Sequence, residues 1–475
     1  MRPAWEPLLT VTPKSKLKLR FEAGTIVVDG PSQTLKGLSP FDELVFDQRT
    51  SVLRAPASMY REVFAHLYRA QQRGELEFED LARAYTNLAL EMGVYREPYP
   101  HQRESIEAWQ ANGKRGVVVL PTGAGKSYVA ELALWKTGRS AMVIAPTIDL
   151  MNQWYDLLSS SFGVEVGILG GGYHEVRDLT VSTYDSAFIH MDRIGNRFAL
   201  LVFDECHHLP GPSYAMASEM SLAPYRLGLT ATPERNDGSH HLLDKLIGPC
   251  VYEKGIKDMT GRFLAEYDVV TLKVPLSEAD AQRYNDARNE YRTFLRIYGI
   301  RMSKPTGWGE FLKKSSRSKD GRAAFRAYRL QRRIALAHSG KVDRLEKLLR
   351  VHAKDRVIIF TNDNDTVYDI SRRFLIPAIT HQTPTKERKL YLERFNSGEY
   401  PCMVTSKVLN EGVNIPEANV AIVLSGSGTV REHVQRLGRI LRRSKNKRAT
   451  LYELITADTV EEYVSTRRRE HDAYR

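Results

Sequence analysis

The stretch Leu120–Ser127 reads LPTGAGKS, and its residue types suit a phosphate. Gly123 and Gly125 let backbone N–H groups turn inward, and Thr122 and Ala124 complete the loop. Lys126 supplies positive charge to the outer phosphates, and the Ser127 hydroxyl can ligate Mg²⁺. A helix starting here would aim its positive end at the same place. The generic pattern has Gly where Leu120 stands, so this is a variant loop. A Gly-rich turn with a surface lysine is the competing reading; the apolar strand before it and the helix after it favour a nucleotide site. Farther on, Leu201-Val202-Phe203-Asp204-Glu205 ends an apolar run in two carboxylates. Strand ends are where open α/β sheets bind ligands. Asp204 suits a Mg²⁺ shell, and Glu205 can orient and deprotonate an attacking water. Cys206, His207 and His208 follow directly. Three adjacent ligands cannot close a tetrahedron, so zinc is not expected. His207 suits a polar link from the acidic pair to the next strand.

The elements that must hold these residues are legible in outline. GVVVLP (116–121), AMVIAP (141–146), LTVST (179–183), ALLVFDE (199–205) and YRLGLTAT (225–232) are short apolar runs with helical stretches between them. That alternation predicts a parallel sheet covered on both faces. The same grammar returns in RVIIFT (356–361), CMVTS (402–406), NVAIVLS (419–425) and ATLYELI (449–455). The expected fold class is therefore α/β. Residues 1–56 alternate apolar and polar residues and predict a small strand-rich N-terminal domain. Residues 57–93 carry apolar residues at helical spacing, which predicts a helical connector over 57–95. The first parallel-sheet domain is expected over 96–262 and the second over 263–475. Within the second, 277–345 reads as a basic helical insertion, with RMSKPTGWGEFLKKSSRSKDGR (301–322) as an exposed tip.

Composition narrows the class. The 475 residues are 42% hydrophobic and 27% charged, the balance of a folded chain. Cys206, Cys250 and Cys402 are far apart and form no CxxC, which excludes a disulfide framework and a cysteine-rich zinc site. No apolar run reaches the length of a membrane span, and the N-terminal residues show no secretory h-region, so no membrane association is expected. A cytoplasmic location, or a nuclear one in a eukaryote, is the expectation. The net charge is +12, but residues 281–350 alone carry thirteen more Lys and Arg than Asp and Glu. A polyanion is the natural partner for such a segment.

An ordered series carries a more specific resemblance. It comprises His101-Gln102, PTGAGKS, APTIDLMNQW (145–154), STYDSA (182–187), DECHH (204–208), GLTATPERNDG (228–238), IIFTND (358–363), VTSKVLNEGVNIPEANV (404–420) and QRLGRILRR (435–443). Together they resemble a superfamily 2 helicase, and within it the XPB family, most like its archaeal members. The resemblance implies two RecA-like domains binding ATP between them, with a helical thumb-like insertion and an N-terminal domain placed like the family's damage-recognition domain. For the N-terminal region a plain packing domain is the alternative. It implies that Gln102 reads adenine, that Gly412 and Gln435 belong to the nucleotide site, and that Arg439 and Arg442 are arginine fingers. Thr230, Ala231 and Thr232, with His207, would couple hydrolysis to DNA contact. Arg235 and Asp237 match an Arg-Glu-Asp element linked to duplex opening, although Asn236 replaces its central carboxylate. Asn414 likewise stands where many relatives carry Asp.

In the insertion, Trp308, Lys313 and Lys314 are the expected DNA contacts, with Phe311, Phe325 and Tyr328 as possible stacking residues; a solvated helical hairpin is the alternative. The function implied is an ATP- and Mg²⁺-dependent DNA helicase or translocase moving 3′→5′ on forked, bubble or tailed duplex, in repair or transcription. Family members work with a nuclease or inside a larger complex. A duplex translocase that does not separate strands, or a DNA-binding scaffold with weak ATPase, are the rival readings.

Overall fold

A computed structural model describes residues 16–32, 35, 42–235, 237–259, 263, 266–304, 306–406, 418–425 and 448–462. The chain divides into two compact units that meet in sequence at Lys254 and Gly255. Pro121–Ala124 is described here with the strand and helix it joins.

The first unit opens with a five-stranded sheet of β1 (Lys16–Glu22), β2 (Thr25–Asp29), β3 (Val45–Asp47), β4 (Val52–Pro56) and β5 (Glu77–Asp80), in the order β3-β4-β2-β1-β5. Alternation in KLKLRFE buries Leu17 and Leu19 and turns Lys16, Lys18 and Arg20 outward. Helix α1 (Tyr60–Gln72) lays Tyr60, Val63, Leu67 and Ala70 on this core. The small domain therefore runs past residue 56, to Ala82.

The helix expected across 57–93 is only partly present. After α1 the chain turns at Gly74 (φ +74°), and β5 then pairs in parallel with β1. Residues 81–99 hold no helix; their backbone donors find distant partners instead. Ala84 N donates to Asn196 O, Thr86 N to Ser140 Oγ, Leu88 N to Gly138 O and Gly93 N to Ser161 O, all at 2.8–3.0 Å. Tertiary hydrogen bonds satisfy the strap, so its helical periodicity is overridden.

The strap leads into an eight-stranded sheet of β6 (Arg115–Val119), β7 (Ala141–Ala145), β8 (Val166–Gly170), β9 (Tyr173–Glu175), β10 (Leu179–Thr183), β11 (Leu200–Asp204), β12 (Tyr225–Thr230) and β13 (Cys250–Glu253). The order is β13-β6-β12-β11-β7-β10-β8-β9, parallel except for the β8–β9 hairpin. Its helices include α2 (Pro100–Ala111), α3 (Lys126–Thr137), α4 (Ile148–Phe162), α5 (Tyr184–Ile194), α6 (Ala215–Glu219) and α7 (Leu242–Leu246). Thr147 and Thr183 cap α4 and α5, each accepting a backbone N–H at 3.2 Å. Every residue of β7, β10 and β11 is buried, as a sheet covered on both faces requires.

The second unit holds a parallel sheet of β14 (Glu266–Val274), β15 (Val357–Phe360), β16 (Ala378–Ile379), β17 (Cys402–Thr405), β18 (Val420–Val423) and β19 (Arg448–Thr456), ordered β14-β19-β18-β15-β17-β16. Between β14 and β15 run α8 (Glu278–Ile297), α9 (Gly307–Ser315), α10 (Lys319–Ala337) and α11 (Ser339–Val351). Helices α12 (Asn364–Phe374) and α13 (Thr385–Ser397) follow. The insertion comprises α8–α10 and ends near Ala337, because α11 buries Leu345 and Leu348 against the sheet core. The 301–322 patch is not an open tip: it forms α9 and the start of α10, and it buries Phe311 completely. Among the described residues no helix is long and apolar enough to cross a membrane.

Arg226, on β12, is a large fully buried cation. It donates to Ala223 O, Ser218 O, Ser218 Oγ, Ser221 O and Leu246 O at 2.6–3.3 Å. It thereby closes the C-terminal ends of the short helices Ala215–Glu219 and Leu242–Leu246. Burial lowers its pKa to about 9, but these carbonyls still favour the charged form. Arg226→Leu strands several acceptors, each costing roughly 1–3 kcal/mol. We expect a loss of about 3 kcal/mol, read as a fall in thermal midpoint of roughly 6–12 °C.

Candidate nucleotide site and its coupling elements

The phosphate loop is built by β6, the turn Pro121–Gly125 and α3. Leu120 N donates to Thr230 O at 3.0 Å, which ties the loop's start to β12. Gly123 (φ +89°) and Gly125 (φ +80°) adopt the left-handed region that the turn requires. Tyr128 N and Val129 N return to Gly125 O, opening α3 directly behind the loop. The Lys126 ammonium folds back over the loop and donates to Leu120 O at 3.1 Å. Ser127 is exposed at the helix start, and the buried Thr122 Oγ1 has no hydrogen-bond partner among the described residues. Glycine-only backbone, an inward lysine and a helix N-terminus fit a nucleoside triphosphate.

Gln102 is held at the loop by two backbone hydrogen bonds. Its Oε1 accepts from Tyr99 N at 2.9 Å, and its Nε2 donates to Gly125 O at 3.3 Å. The side chain thus splices the N-terminal cap of α2 to the phosphate loop. A Cβ on Gly125 would lie 2.3 Å from Gln102 Nε2.

Asp204 ends β11 and is buried. Its Oδ2 accepts from Trp154 Nε1 at 2.8 Å, its Oδ1 from Glu205 N at 3.0 Å, and its carbonyl from Tyr184 OH at 3.0 Å. Trp154 and Tyr184 were not singled out in the sequence; the indole of NQW, nine residues past the end of β7, was the available signal, since a buried indole N–H needs an acceptor. Burial, and then the neighbouring Glu205 carboxylate, push the Asp204 pKa up. The Lys126 charge pulls it partly back. A divalent cation at this carboxylate would offset the same cost, so the donor set fits Mg²⁺.

Glu205 sits at φ +46°, a strained backbone for a non-glycine residue. The kink aims its side chain beside His207, whose Nδ1 is 3.5 Å from Glu205 Oε2. The same Nδ1 lies 3.1 Å from Thr230 Oγ1. Thr230 Oγ1 already donates to Thr232 O at 3.0 Å, so His207 Nδ1 must be the donor in their pair. Thr232 N in turn donates to Thr230 Oγ1 at 3.2 Å. Arg235 Nη1 donates to His207 O at 2.7 Å and holds Asp237 through two further bonds at 3.0 and 2.7 Å. A hydrogen-bonded chain thus runs from His207 to Thr230 and Thr232, with Arg235 on the His207 carbonyl and the Glu205 carboxylate 3.5 Å from the ring. Ala231, between the two threonines, adds only backbone. Asn236, Gly412, Gln435, Arg439 and Arg442 lie outside the described residues.

In the insertion, Trp308 packs against Phe311 and Tyr328 at ring distances of 5.5 and 5.2 Å, with 40% of its surface exposed. Phe311 and Phe325 belong to the insertion's own core with Phe294. They are packing residues, which corrects the expectation that they stack bases: α8, α9 and α10 need an aromatic centre to hold together. Lys313 is exposed, and Lys314 donates to Tyr298 O at 2.8 Å.

One test follows from the loop geometry. Gly125→Ala forces both a strained φ and a clash with Gln102, so nucleotide affinity should fall at least tenfold, with a stability loss of about 1–2 kcal/mol that lowers the melting temperature by only a few degrees. Binding of a fluorescent ATP analogue, with thermal denaturation alongside, reads both.

Three family models match the chain: the type III restriction enzyme res subunit over residues 96–235, the helicase conserved C-terminal domain over 340–444, and the xeroderma pigmentosum group B helicase damage recognition domain over 19–82. The third match agrees with the folded extent of the N-terminal domain. The DNA 3′-5′ translocase XPB2 of Sulfurisphaera tokodaii is 40% identical over 78% of this chain and 84% of its own length. The DNA 3′-5′ helicase XPB of Kineococcus radiotolerans is 30% identical over 78% of this chain, which spans only 62% of that protein. The crystal structure of the Pyrococcus furiosus Hef helicase domain matches with a TM-score of 0.52 at 18% identity, covering 78% of this chain and 98% of that one, which supports the fold. With matches to both helicase domain models and the damage-recognition domain, and a relative 40% identical over 84% of its own length, the chain belongs to the XPB family of superfamily 2 helicases.

Proposed function

We propose that this protein hydrolyses ATP, with Mg²⁺, to drive 3′→5′ movement along DNA and open the duplex, in a repair or transcription setting. The observation that carries this reading is the polar chain through His207, Thr230 and Arg235, with the Glu205 carboxylate beside it. It joins a hydrolytic carboxylate to a segment that the family uses on DNA. Lys126 and the loop amides would hold the outer phosphates, and Ser127 and Asp204 would hold Mg²⁺. The bound ion would neutralise phosphate charge that builds up in the transition state. Glu205 orients the attacking water and accepts its proton. Loss of the γ-phosphate changes what Glu205 faces, and His207 passes that change to Thr230 and Thr232. Arg439 and Arg442 keep the family's arginine-finger role in this scheme. DNA, as forked, bubble or tailed duplex, is the substrate; a nuclease or a repair or transcription complex is the proposed partner.

A second reading is favoured by one local feature. Arg235 and Asp237 neutralise each other across two hydrogen bonds, and Asn236 brings no charge to the element. A duplex translocase that does not separate strands fits that chemistry. Unwinding of 3′- and 5′-tailed forks, compared with triplex displacement, decides between them. Displacement of the triplex alone would make translocase the correct term.

Two outcomes test the site. Lys126→Ala should abolish DNA-stimulated ATP hydrolysis and leave DNA binding in place; unchanged hydrolysis would sink the assignment. Because burial raises the Asp204 pKa, a proton competes with Mg²⁺ for this carboxylate as pH falls. The Mg²⁺ concentration for half-maximal ATPase should therefore rise as pH drops below neutral, by up to about tenfold per unit once Asp204 protonates. A titration of Mg²⁺ at several pH values checks this.

A further inference from the structure

The insertion has a core of its own, around Phe294 and Phe311, apart from the sheet core of the second unit. Two short links carry it: residues 275–277 between β14 and α8, and the single extended residue His338 (φ −73°, ψ 161°) between α10 and α11. Element-terminal residues of this kind are where hinges form, so contacts at the root must set how the insertion sits. Those contacts converge on the turn after β19. Val460 N donates to Tyr284 OH on α8 at 3.1 Å, and Thr456 Oγ1 donates to Ala335 O on α10 at 2.5 Å. Glu461 closes the same turn by accepting from Thr456 N at 2.9 Å.

Lys341, at the start of α11, is fully buried, and so is most of Glu461. The Lys341 ammonium donates to Glu461 Oε2 at 2.6 Å and to Leu424 O at 2.8 Å. Leu424 directly follows β18, and its N donates to Phe360 O at 2.9 Å. The next residue, Ser425, accepts from Asn362 N through its hydroxyl at 2.8 Å. One buried cation therefore joins the turn that holds the insertion to the C-terminal ends of β15 and β18. That is the end of a parallel sheet at which ligands bind. Beyond Ser425 the sequence runs into the segment carrying Arg439 and Arg442. Burying an ion pair is commonly no more stabilising than packing uncharged residues of the same volume, and its best-attested use is to specify one arrangement. His338 brings no competing charge to the junction: burial, then the Lys341 ammonium, hold its pKa down at about 4.

We propose that Lys341 and Glu461 are positioning residues for ATP turnover, which lock the root of the insertion to the end of β18 so that a shift of the insertion reaches the arginine-bearing segment beyond Ser425. The proposal rests on the reading of the chain as a DNA-stimulated ATPase and concerns transmission within the second unit.

The test uses the full chain with both charges removed at similar volume, Lys341→Met with Glu461→Gln. Lys341→Met alone would strand a buried carboxylate, whereas the double variant keeps an acceptor for Thr456 N. ATPase is measured without DNA and across a titration of tailed duplex, with DNA affinity and melting temperature alongside. The melting temperature should stay within a few degrees of wild type, with basal rate and DNA affinity unchanged, while the DNA-stimulated kcat falls about fivefold or more. Glu461→Gln alone, which keeps Lys341 on Leu424 O, should retain most of the stimulation. Full stimulation in the double variant overturns the proposal. Basal and stimulated rates falling in proportion, together with the melting temperature, also overturn it, since a purely structural pair gives that result. Absence of stimulation in the wild type marks failure of the functional reading instead. Amide exchange then decides on the lock itself: Val460 N should exchange faster in the double variant, and equal exchange overturns it.

Discussion

Parallel pairing of β6, β12 and β11 places Val119 beside Thr230 and Asp204 beside Leu229. The phosphate loop, the threonine pair and the acidic pair therefore leave the sheet at the same end, with Thr230 bonded both to Leu120 N and to His207. Shifting one strand by a single residue would flip its side chains to the other face of the sheet. Leu120 would then lose Thr230 O, and His207 would lose the Thr230 hydroxyl. The apolar content of these strands fixes that register, because every inward residue must meet a partner in a core covered on both faces.

The carboxylates at this edge are held at an energetic cost. Asp204 is buried beside another acid, and Glu205 takes a left-handed backbone. Such costs are tolerated where the surroundings over-determine the geometry. Here Trp154 and Tyr184 clamp Asp204, while Arg226, one strand away, fixes the helices behind β12. The buried positive charge of Arg226 and the buried negative charge of Asp204 have different solutions: backbone carbonyls and a serine hydroxyl surround the first, whereas an indole N–H and a backbone N–H hold the second beside another acid.

The insertion shows a similar division. Its aromatic residues mostly pack against each other, giving α8, α9 and α10 a centre of their own. Its hold on the turn after β19 is polar, through Tyr284 OH and Ala335 O. Stacking residues and core residues have the same composition in a sequence, so only packing tells them apart.

The sequence alone determined the parallel-sheet architecture, the phosphate loop, the acidic pair and the role of His207 as a link to the next strand. Those features depend on local patterns: apolar runs of strand length, glycines where φ must be positive, and motif spacing set by a strand and its turn. It did not determine the extended strap of 81–99, whose helical periodicity loses to backbone bonds with Ser140, Gly138 and Ser161. Nor did it determine the true extent of the N-terminal domain, since β5 joins β1 across most of that domain. Gln102 acting on the phosphate loop, Trp154 on Asp204 and Lys341 on Glu461 and Leu424 were likewise decided by the tertiary structure. Each brings together groups at least nineteen residues apart, and the energies that choose among such partners come from burial and mutual satisfaction, which no local window contains.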